Sequence, residues 1–555
     1  GQVWLLNIGI GGEAEKITDL KGGVSSTAWS PDGKRLALIV NDPDSAADSS
    51  NAKPRPIVVD KYQFKQDGRG YLGKLNAHIW VLDLATRKAE QITRGPADDG
   101  GPAWSPDGKW IAFISAREPD AERYDNDDVY LVEAVKDATP RRLTTFQGSD
   151  GGPLSWSPDG AQVAYRQQQE PKYFGYGGGF GTVALAAAAG GAPRLLTAGY
   201  DRAISGSRWS PDGKSLVGIV ADDQRQDLVR INAATGRVEK IAATMPVING
   251  FSEGEDGDFA VIATDPAHPG ELYALERSGM RRLTRVNGWI DSVSVSSVEA
   301  VTSTSEDGTE VHGILRRPAS ASAGQKLPLV VRIHGGPSGQ DAFGFDFEKE
   351  ILVAQGYAVL APNYRGSSGR GQAYTVSIFA DWCNREVQDI RGMVNHLIKS
   401  GVADENRLGV GGWSYGGILT DCMIAADPRF KAATSGAGVS NVFGMYGHDQ
   451  YIVQYDLELG QPWKNPDAWL KVSKAFMNAD KIRTPTLFLG GSVDWNVPVL
   501  GGEQMYQALK SNRVDTELIV YPGETHGIRR PSFQKDRLDR YVAWYGKYLG
   551  GGPVP

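Results

Sequence analysis

The sequence predicts an N-terminal all-β propeller followed by a mostly parallel α/β domain. Three observations carry that expectation. The motif W-S-P-D-G occurs four times, beginning at Trp29, Trp104, Trp156 and Trp209. From about Asn287 onward, apolar strands alternate with amphipathic helical segments. At 555 residues the chain is also too long for one ordinary domain.

In each W-S-P-D-G unit, proline presets the first central turn position, aspartate tolerates the second and glycine relaxes the exit. An apolar strand follows every time: "RLALIV", "WIAFIS", "QVAYRQ", "SLVGIV". A second pair of strands comes next, such as "HIWVLDL" with "AEQITRG". Four short strands repeated about every 52 residues are the pattern of propeller blades. The first spacing is 75 residues, because a polar stretch near 41–78 is inserted there and reads as an exposed excursion. The glycine run "FGYGGGFG" near 174–181 reads as a loop between strands, since no helix-forming pattern follows it for a phosphate cradle. A degenerate fifth blade covers about 247–285. The opening, "VWLLNIGIGGEAEKITDL", resembles only the last two strands of a blade. Five blades and a half would leave an open edge, so an N-terminal piece on the order of 80–110 residues is expected ahead of it, an unusually small propeller being the alternative. The propeller is thus assigned to residues 1–286, as a half blade plus five blades, and the second domain to 287–555.

Composition narrows the function. A net charge of −7 and a pI near 5.7 argue against nucleic acid or an anionic membrane as the main partner. No apolar run reaches the length of a membrane span, and the first residues lack the features of a signal peptide, so a soluble chain is expected. Two cysteines, Cys383 and Cys422, exclude a disulfide framework and a cysteine-based zinc site, but leave cytoplasm and periplasm both open. No nucleotide-binding fingerprint occurs, and neither a metal nor an organic cofactor is implied.

The stretch "GVGGWSYGGILTDCMIAA" places Ser414 in a G-x-S-x-G frame. With 69 glycines in 555 residues, about one serine in 65 would be so framed by chance, so the frame alone decides little. Its surroundings decide more. "RLGVGG" reads as a strand, and the segment after the serine begins a helix at once, which is the strand–turn–helix of an α/β-hydrolase nucleophile. That fold orders its triad as serine, acid, histidine. His526 in "YPGETHG" follows the last apolar strand, and Asp494 in "SVDWNVP" follows the strand before it. His448, the other histidine after Ser414, falls before the next core strand and reads as a surface group. For the oxyanion, the amide of Tyr415 is one donor, and Gly336 in "RIHGGPSG" is the second. His334 precedes the serine and reads as a residue that shapes this loop. Val439, Val442, Met445 and Tyr446, after the strand ending in "SGAG", are candidates for the pocket that takes the residue before the scissile bond, the alternative being that they are ordinary core residues of a short helix. They would make that pocket apolar, without a flat aromatic wall for proline.

Together "HGGP" at 334–337, "NYRGSSGRG" at 363–371, "GGWSYGG" at 411–417, "DWNVP" at 494–498 and "YPGETHG" at 521–527 resemble the prolyl oligopeptidase family of serine peptidases, notably its acylaminoacyl-peptidase and dipeptidyl-peptidase-like branch. The resemblance extends over essentially the whole chain. It implies hydrolysis of short peptides through an acyl-enzyme, a propeller that excludes large folded substrates, no cofactor, and self-association into a homo-oligomer. It implies Ser414 as nucleophile, Asp494 as acid, His526 as base, and Gly336 and Tyr415 at the oxyanion. An esterase or amidase acting on non-peptide substrates, and a propeller-based binding protein without activity, are the alternative readings. The sequence does not separate release of acylated residues, release of dipeptides and internal cleavage.

Overall fold

Most inner strands of the first half are apolar on both faces, because their sheets pack against neighbours on either side. In Arg35–Asn41, Ala37 and Ile39 enter one core cluster and Leu36, Leu38 and Val40 another, and the W-S-P-D-G turns set the strand spacing. The computed structural model describes residues 1–43, 56–124, 126–176, 181–241, 244–322 and 324–552. Antiparallel four-stranded sheets begin at Val24, Asp99, Asp150 and Ile204. A further set of four strands begins at Val247 and joins its predecessor through a single parallel pairing, Gln226 with Val247. Ahead of them Trp4–Leu5 pairs with Glu15–Lys16. In the first three repeats the turn serine donates to the turn aspartate, at 2.6 Å for Ser30 and Asp32. The tryptophan then ties one sheet to the one before it. Trp104 Nε1 donates to the Ala28 carbonyl and Trp156 Nε1 to that of Ala103, each at 3.0 Å. Trp29 has no full sheet before it in the described residues and is 54% exposed.

Two stretches depart from expectation. The insertion after Asn41 is not simply an exposed excursion. Residues 44–55 lie outside the described residues, but Lys65–Gln66 and Gly70–Tyr71 form a ribbon that lies on the hydrolase domain, and Lys65 is only 5% exposed. Within this polar stretch Tyr71, backed by Phe64, packs on Trp495 and the Tyr62 hydroxyl donates to Asp456, and these contacts dock it. In the glycine run, residues 177–180 lie outside the described residues. Pro171–Tyr176 just before them makes short helical turns against the hydrolase domain.

The second domain is an eight-stranded sheet. Its strands are β1 (Ser297–Thr304), β2 (Glu310–Arg317), β3 (Leu327–Ile333), β4 (Ala358–Asn363), β5 (Ala403–Trp413), β6 (Phe430–Gly436), β7 (Thr486–Gly491) and β8 (Thr516–Tyr521), in the order 1-2-4-3-5-6-7-8. The first three neighbours in that order pair antiparallel and the rest parallel. The helices that position the site are α1 (Phe347–Ala354), α2 (Arg385–Lys399), α3 (Tyr415–Ala426), α4 (Ile452–Glu458), α5 (Leu500–Ser511) and α6 (Pro531–Leu549). The inner strands are apolar on both faces because both are covered. Leu329 and Val331 of β3 pack with residues of α2, α3 and α5, while Val330 between them packs with α1 and α6. That two-sided burial is what a parallel sheet requires.

The cysteines are too few for a framework, yet they make one cross-link. Cys383, just before α2, is bonded to Cys422 in α3 across a separation of 39 residues. Distance in sequence hid a pair that the packing of α2 against α3 brings together. Closing a loop of that length lowers the entropy of the unfolded chain by an amount worth about 4 kcal/mol. Cys422→Ser is therefore expected to lower the stability of the hydrolase domain by about that much in denaturant unfolding, and added reductant should produce the same loss in the parent protein.

Candidate active site

The turn between β5 and α3 has almost no room for side chains. A methyl group on Gly412 or Gly416 would run into the Ile333 carbonyl, and one on Gly417 into the Gly436 carbonyl. The chain can therefore reverse sharply between Trp413 and Tyr415, and Ser414 takes φ 63° and ψ −125° at the apex. Its amide donates to the Gly436 carbonyl at 3.0 Å, and its own carbonyl accepts from Gly417 and Ile418 at 2.8 and 3.1 Å. The loop after β3 packs on this turn: a methyl on Gly335 would sit 3.2 Å from Ser414 Cβ. Within that loop the His334 Nδ1–H donates to the Gly335 carbonyl at 2.9 Å, and the ring stacks on Tyr364 at 4.6 Å. Burial lowers the His334 pKa, so the neutral ring's Nε2 accepts from the Ser367 hydroxyl at 2.9 Å.

Asp494 follows β7 and His526 follows β8, so both stand at the same carboxyl-terminal rim as Ser414. His526 Nδ1 lies 2.9 Å from Asp494 Oδ2. The other carboxylate oxygen accepts the amides of Asn496 and Val497 at 2.9 and 2.8 Å. Burial pushes the Asp494 carboxyl upward, and its hydrogen bond to His526 opposes that push. The His526 carbonyl accepts from Trp413 Nε1 at 3.0 Å, which ties the histidine loop to the residue beside Ser414. His448, by contrast, lies in a loop with its ring edge toward Trp495.

A cavity of about 250 Å³ opens at the nucleophile turn. Gly336, Ser414 and Tyr415 all line it, and so does Val439. Val442 and Met445 do not. They face inward as fully buried core residues of a short helical turn. Tyr446 also points elsewhere, packing edge-on to Trp463 and Trp469. The remaining walls come from residues that sequence reasoning missed. Trp382, Tyr451 and Tyr455 supply flat aromatic surface, Asn496 and Val497 follow the acid, and Tyr176 reaches in from the propeller. The expectation of a pocket without aromatic walls is thus corrected. One signal was available: Tyr451 and Tyr455 stand four residues apart, the spacing that puts two side chains on one helix face.

Two further buried carboxyls adjoin the site. Asp449, at the cavity wall, accepts from the Tyr455 hydroxyl at 2.6 Å and the Tyr451 amide at 2.8 Å, and burial pushes it up to about 7. Glu386 accepts from the Tyr415 hydroxyl at 2.6 Å and is likewise pushed up to about 7 by burial. Among the described residues no group of three or more His, Cys, Asp or Glu is placed to hold a metal ion, and no helix is long and apolar enough to cross a membrane.

The fold and this rim define a hydrolase of the serine type beneath a propeller. Comparison with known proteins narrows the class. Residues 343–552 match the model of the prolyl oligopeptidase family, and residues 75–299 that of the TolB beta propeller domain. A Bacillus subtilis (strain 168) protein named uncharacterized peptidase YuxL is 29% identical, over 97% of this chain and 85% of its own length. Dipeptidyl-peptidase 5 of Porphyromonas gingivalis is 24% identical, over 80% of this chain and 66% of its own length. The human acylamino-acid-releasing enzyme is 24% identical over 62% of this chain, which spans half of that enzyme's length. Among solved structures, Pyrococcus horikoshii acylaminoacyl peptidase superposes with a TM-score of 0.85 at 21% identity, covering 99% of this chain and 85% of its own. A Mycobacterium tuberculosis puromycin-hydrolyzing peptidase gives 0.75 at 21%, covering 98% and 82%. The chain carries a prolyl oligopeptidase family domain after a TolB-type propeller, and the enzyme is a serine peptidase.

The buried Glu386 makes stability depend on pH. Its pKa is higher in the folded chain than the ordinary glutamate value of 4.5, so the folded state carries the extra proton between those values. Stability therefore falls as pH rises from about 4.5 through about 7. Glu386→Gln keeps an oxygen to accept from Tyr415 and removes the titration. Its melting temperature should gain on the parent's between pH 5 and pH 8, read by differential scanning calorimetry.

Proposed function

We propose that Ser414 is the nucleophile, His526 the general base and Asp494 the residue that orients and charges it, with the amides of Gly336 and Tyr415 receiving the oxyanion. The observation that carries this reading is the cavity: Ser414 and both proposed donors line it together, and Trp413, next to Ser414, is hydrogen-bonded to the carbonyl of His526, whose ring is paired with Asp494. His526 takes the Ser414 proton as the hydroxyl oxygen attacks the substrate carbonyl carbon. Asp494 selects the tautomer with the proton on Nδ1 and stabilises the imidazolium. The imidazolium then protonates the leaving amine, and water releases the acyl group by the same steps in reverse. Two fixed amides at the developing oxyanion lower the barrier without reorganising, and one such donor is typically worth about 3 kcal/mol.

The substrate is a short peptide whose residue before the scissile bond is apolar. Trp382, Tyr451, Tyr455, Val439 and Val497 favour an aliphatic or aromatic side chain in the cavity. Asp449 in the same wall is held by Tyr455 and Tyr451 and pushed by burial up to about 7, which weakens it as a partner for a lysine. Tyr176 closes one wall from the propeller side, which restricts the site to peptides that fit between the two domains. The soluble compartment and the self-association implied by family resemblance belong to the same proposal.

A fluorophosphonate probe should label the parent protein and not Ser414→Ala, whose turnover should fall about 10⁴-fold or more. Labelling of Ser414→Ala at the parental rate would place the nucleophile elsewhere. Across aminoacyl arylamides, leucyl and phenylalanyl substrates should exceed lysyl and aspartyl ones by at least about 10-fold in kcat/KM, and arylamides should be turned over as well as aryl esters. A preference for the charged residues would refute the apolar pocket, and turnover of esters alone would make the enzyme an esterase.

A further inference from the structure

The ribbon at residues 65–71 belongs to the propeller, yet its tip reaches the two loops that carry Asp494 and His526. Asp67 sits at the turn of that ribbon. One of its carboxylate oxygens accepts the amide of Trp495 at 3.1 Å, and the other accepts the amide of His526 at 3.3 Å. Trp495 is the residue beside Asp494, so a single side chain joins the backbone of the acid loop to the backbone of the base. Its own amide donates to Gln450 Oε1 at 2.9 Å, which fixes the turn on the hydrolase surface.

The ribbon is well anchored. The Lys65 ammonium donates to the His448 carbonyl at 3.1 Å and lies over the Trp495, Phe64 and Tyr71 rings at 4.8, 5.3 and 5.4 Å. Tyr71 packs on Trp495 with ring centres 5.8 Å apart. The Tyr62 hydroxyl donates to Asp456. On the propeller side, Arg69 pairs with Asp98 at 2.9 Å. The carboxylate is therefore held from both domains before any substrate arrives.

Hydrogen bonds from backbone amides to an ionised carboxylate are about twice as strong as those between neutral groups. Two of them, one to each loop, set the separation of the loops. A displacement of about 1 Å at a reacting group costs on the order of 100-fold in rate.

We propose that Asp67 is a positioning residue for the hydrolytic reaction, a carboxylate from the propeller that holds the Asp494 and His526 loops at their working separation. It acts through those loops and does not touch substrate. The proposal rests on the assignment of Asp494 and His526 as acid and base.

The test uses the full chain with four substitutions: Asp67→Ala, Asp67→Asn, Tyr62→Phe and Ser414→Ala. Steady-state kinetics on a leucyl arylamide, fluorophosphonate labelling rates and melting temperatures are read for each. Asp67→Ala should lower kcat and the labelling rate by about 10- to 100-fold while KM stays within about twofold. Asp67→Asn keeps one acceptor oxygen and should fall between it and the parent. It also carries the test if the alanine variant does not fold. Tyr62→Phe removes a ribbon anchor without touching either loop, and should leave kcat within about twofold. The proposal is overturned if both Asp67 variants keep kcat within twofold, if Tyr62→Phe lowers it as much as they do, or if KM rises with kcat unchanged. Activity surviving in Ser414→Ala would instead refute the triad, whatever Asp67 does, so the two failures read differently.

Discussion

The backbone at Ser414 is the constraint on which the site is built. A serine at φ 63° and ψ −125° occupies a region that costs a non-glycine residue on the order of 1–3 kcal/mol. It stays there because its surroundings leave no alternative. Its amide and carbonyl are both engaged, and the neighbouring glycines lie where backbone passes backbone too closely for a methyl group. Relaxing the turn would require β3, β5 and β6 to separate, and they are hydrogen-bonded neighbours in the centre of the sheet. The strain is thus stored by the sheet and expressed at its rim. The same close approach brings the loop carrying Gly336 against the turn, so the positions of Ser414 and Gly336 are set by one packing arrangement.

The cavity below that turn belongs to both domains. Glu458 at the end of α4 accepts from the propeller's Tyr176 hydroxyl at 2.6 Å, from Trp382 Nε1 at 2.7 Å, from the Ala380 amide at 2.8 Å and from Gln454 at 3.0 Å. A buried carboxyl with four donors is costly to disturb, because removing any one leaves a buried polar group short of a partner. The disulfide adds a covalent tie to the same region, since Cys383 directly follows Trp382 and Cys422 lies on α3. The pocket wall is consequently fixed from the propeller, from the loop before α2 and from the nucleophile helix at once.

The sequence made legible what local rules govern. The W-S-P-D-G turns announce blades because proline, aspartate and glycine each suit one turn position. Ser414, Asp494 and His526 are readable because strand ends are readable, and the parallel sheet places such ends at one rim. What stayed hidden depends on tertiary approach. Tyr455 lies on α4 and Tyr451 just before it, well beyond the end of β6, so counting strand ends could not bring them to Ser414. Val442 and Met445 were near enough in sequence to suggest the pocket, but a tight turn rotates both into the core. The ribbon at 65–71 was hidden for a different reason. Its composition is polar on average, and a few aromatic side chains decided where it docks.

Electrostatics separates Asp494 from the carboxyls around it. Asp494, Glu386 and Asp449 are all buried near the Ser414 turn, and burial alone would push each toward neutrality. Glu386 and Asp449 accept from tyrosine hydroxyls and backbone amides, which are neutral donors, and both rise to about 7. Asp494 also accepts backbone amides, but its remaining partner is a histidine that can take a positive charge. That partner's hydrogen bond and charge both favour the anion and oppose the upward push of burial. The difference lies in the partner and not in depth, since Asp494 is 2% exposed and Glu386 and Asp449 are buried beside it. A tyrosine where His526 stands would leave Asp494 without a partner that can take a positive charge, and burial would push its carboxyl further upward.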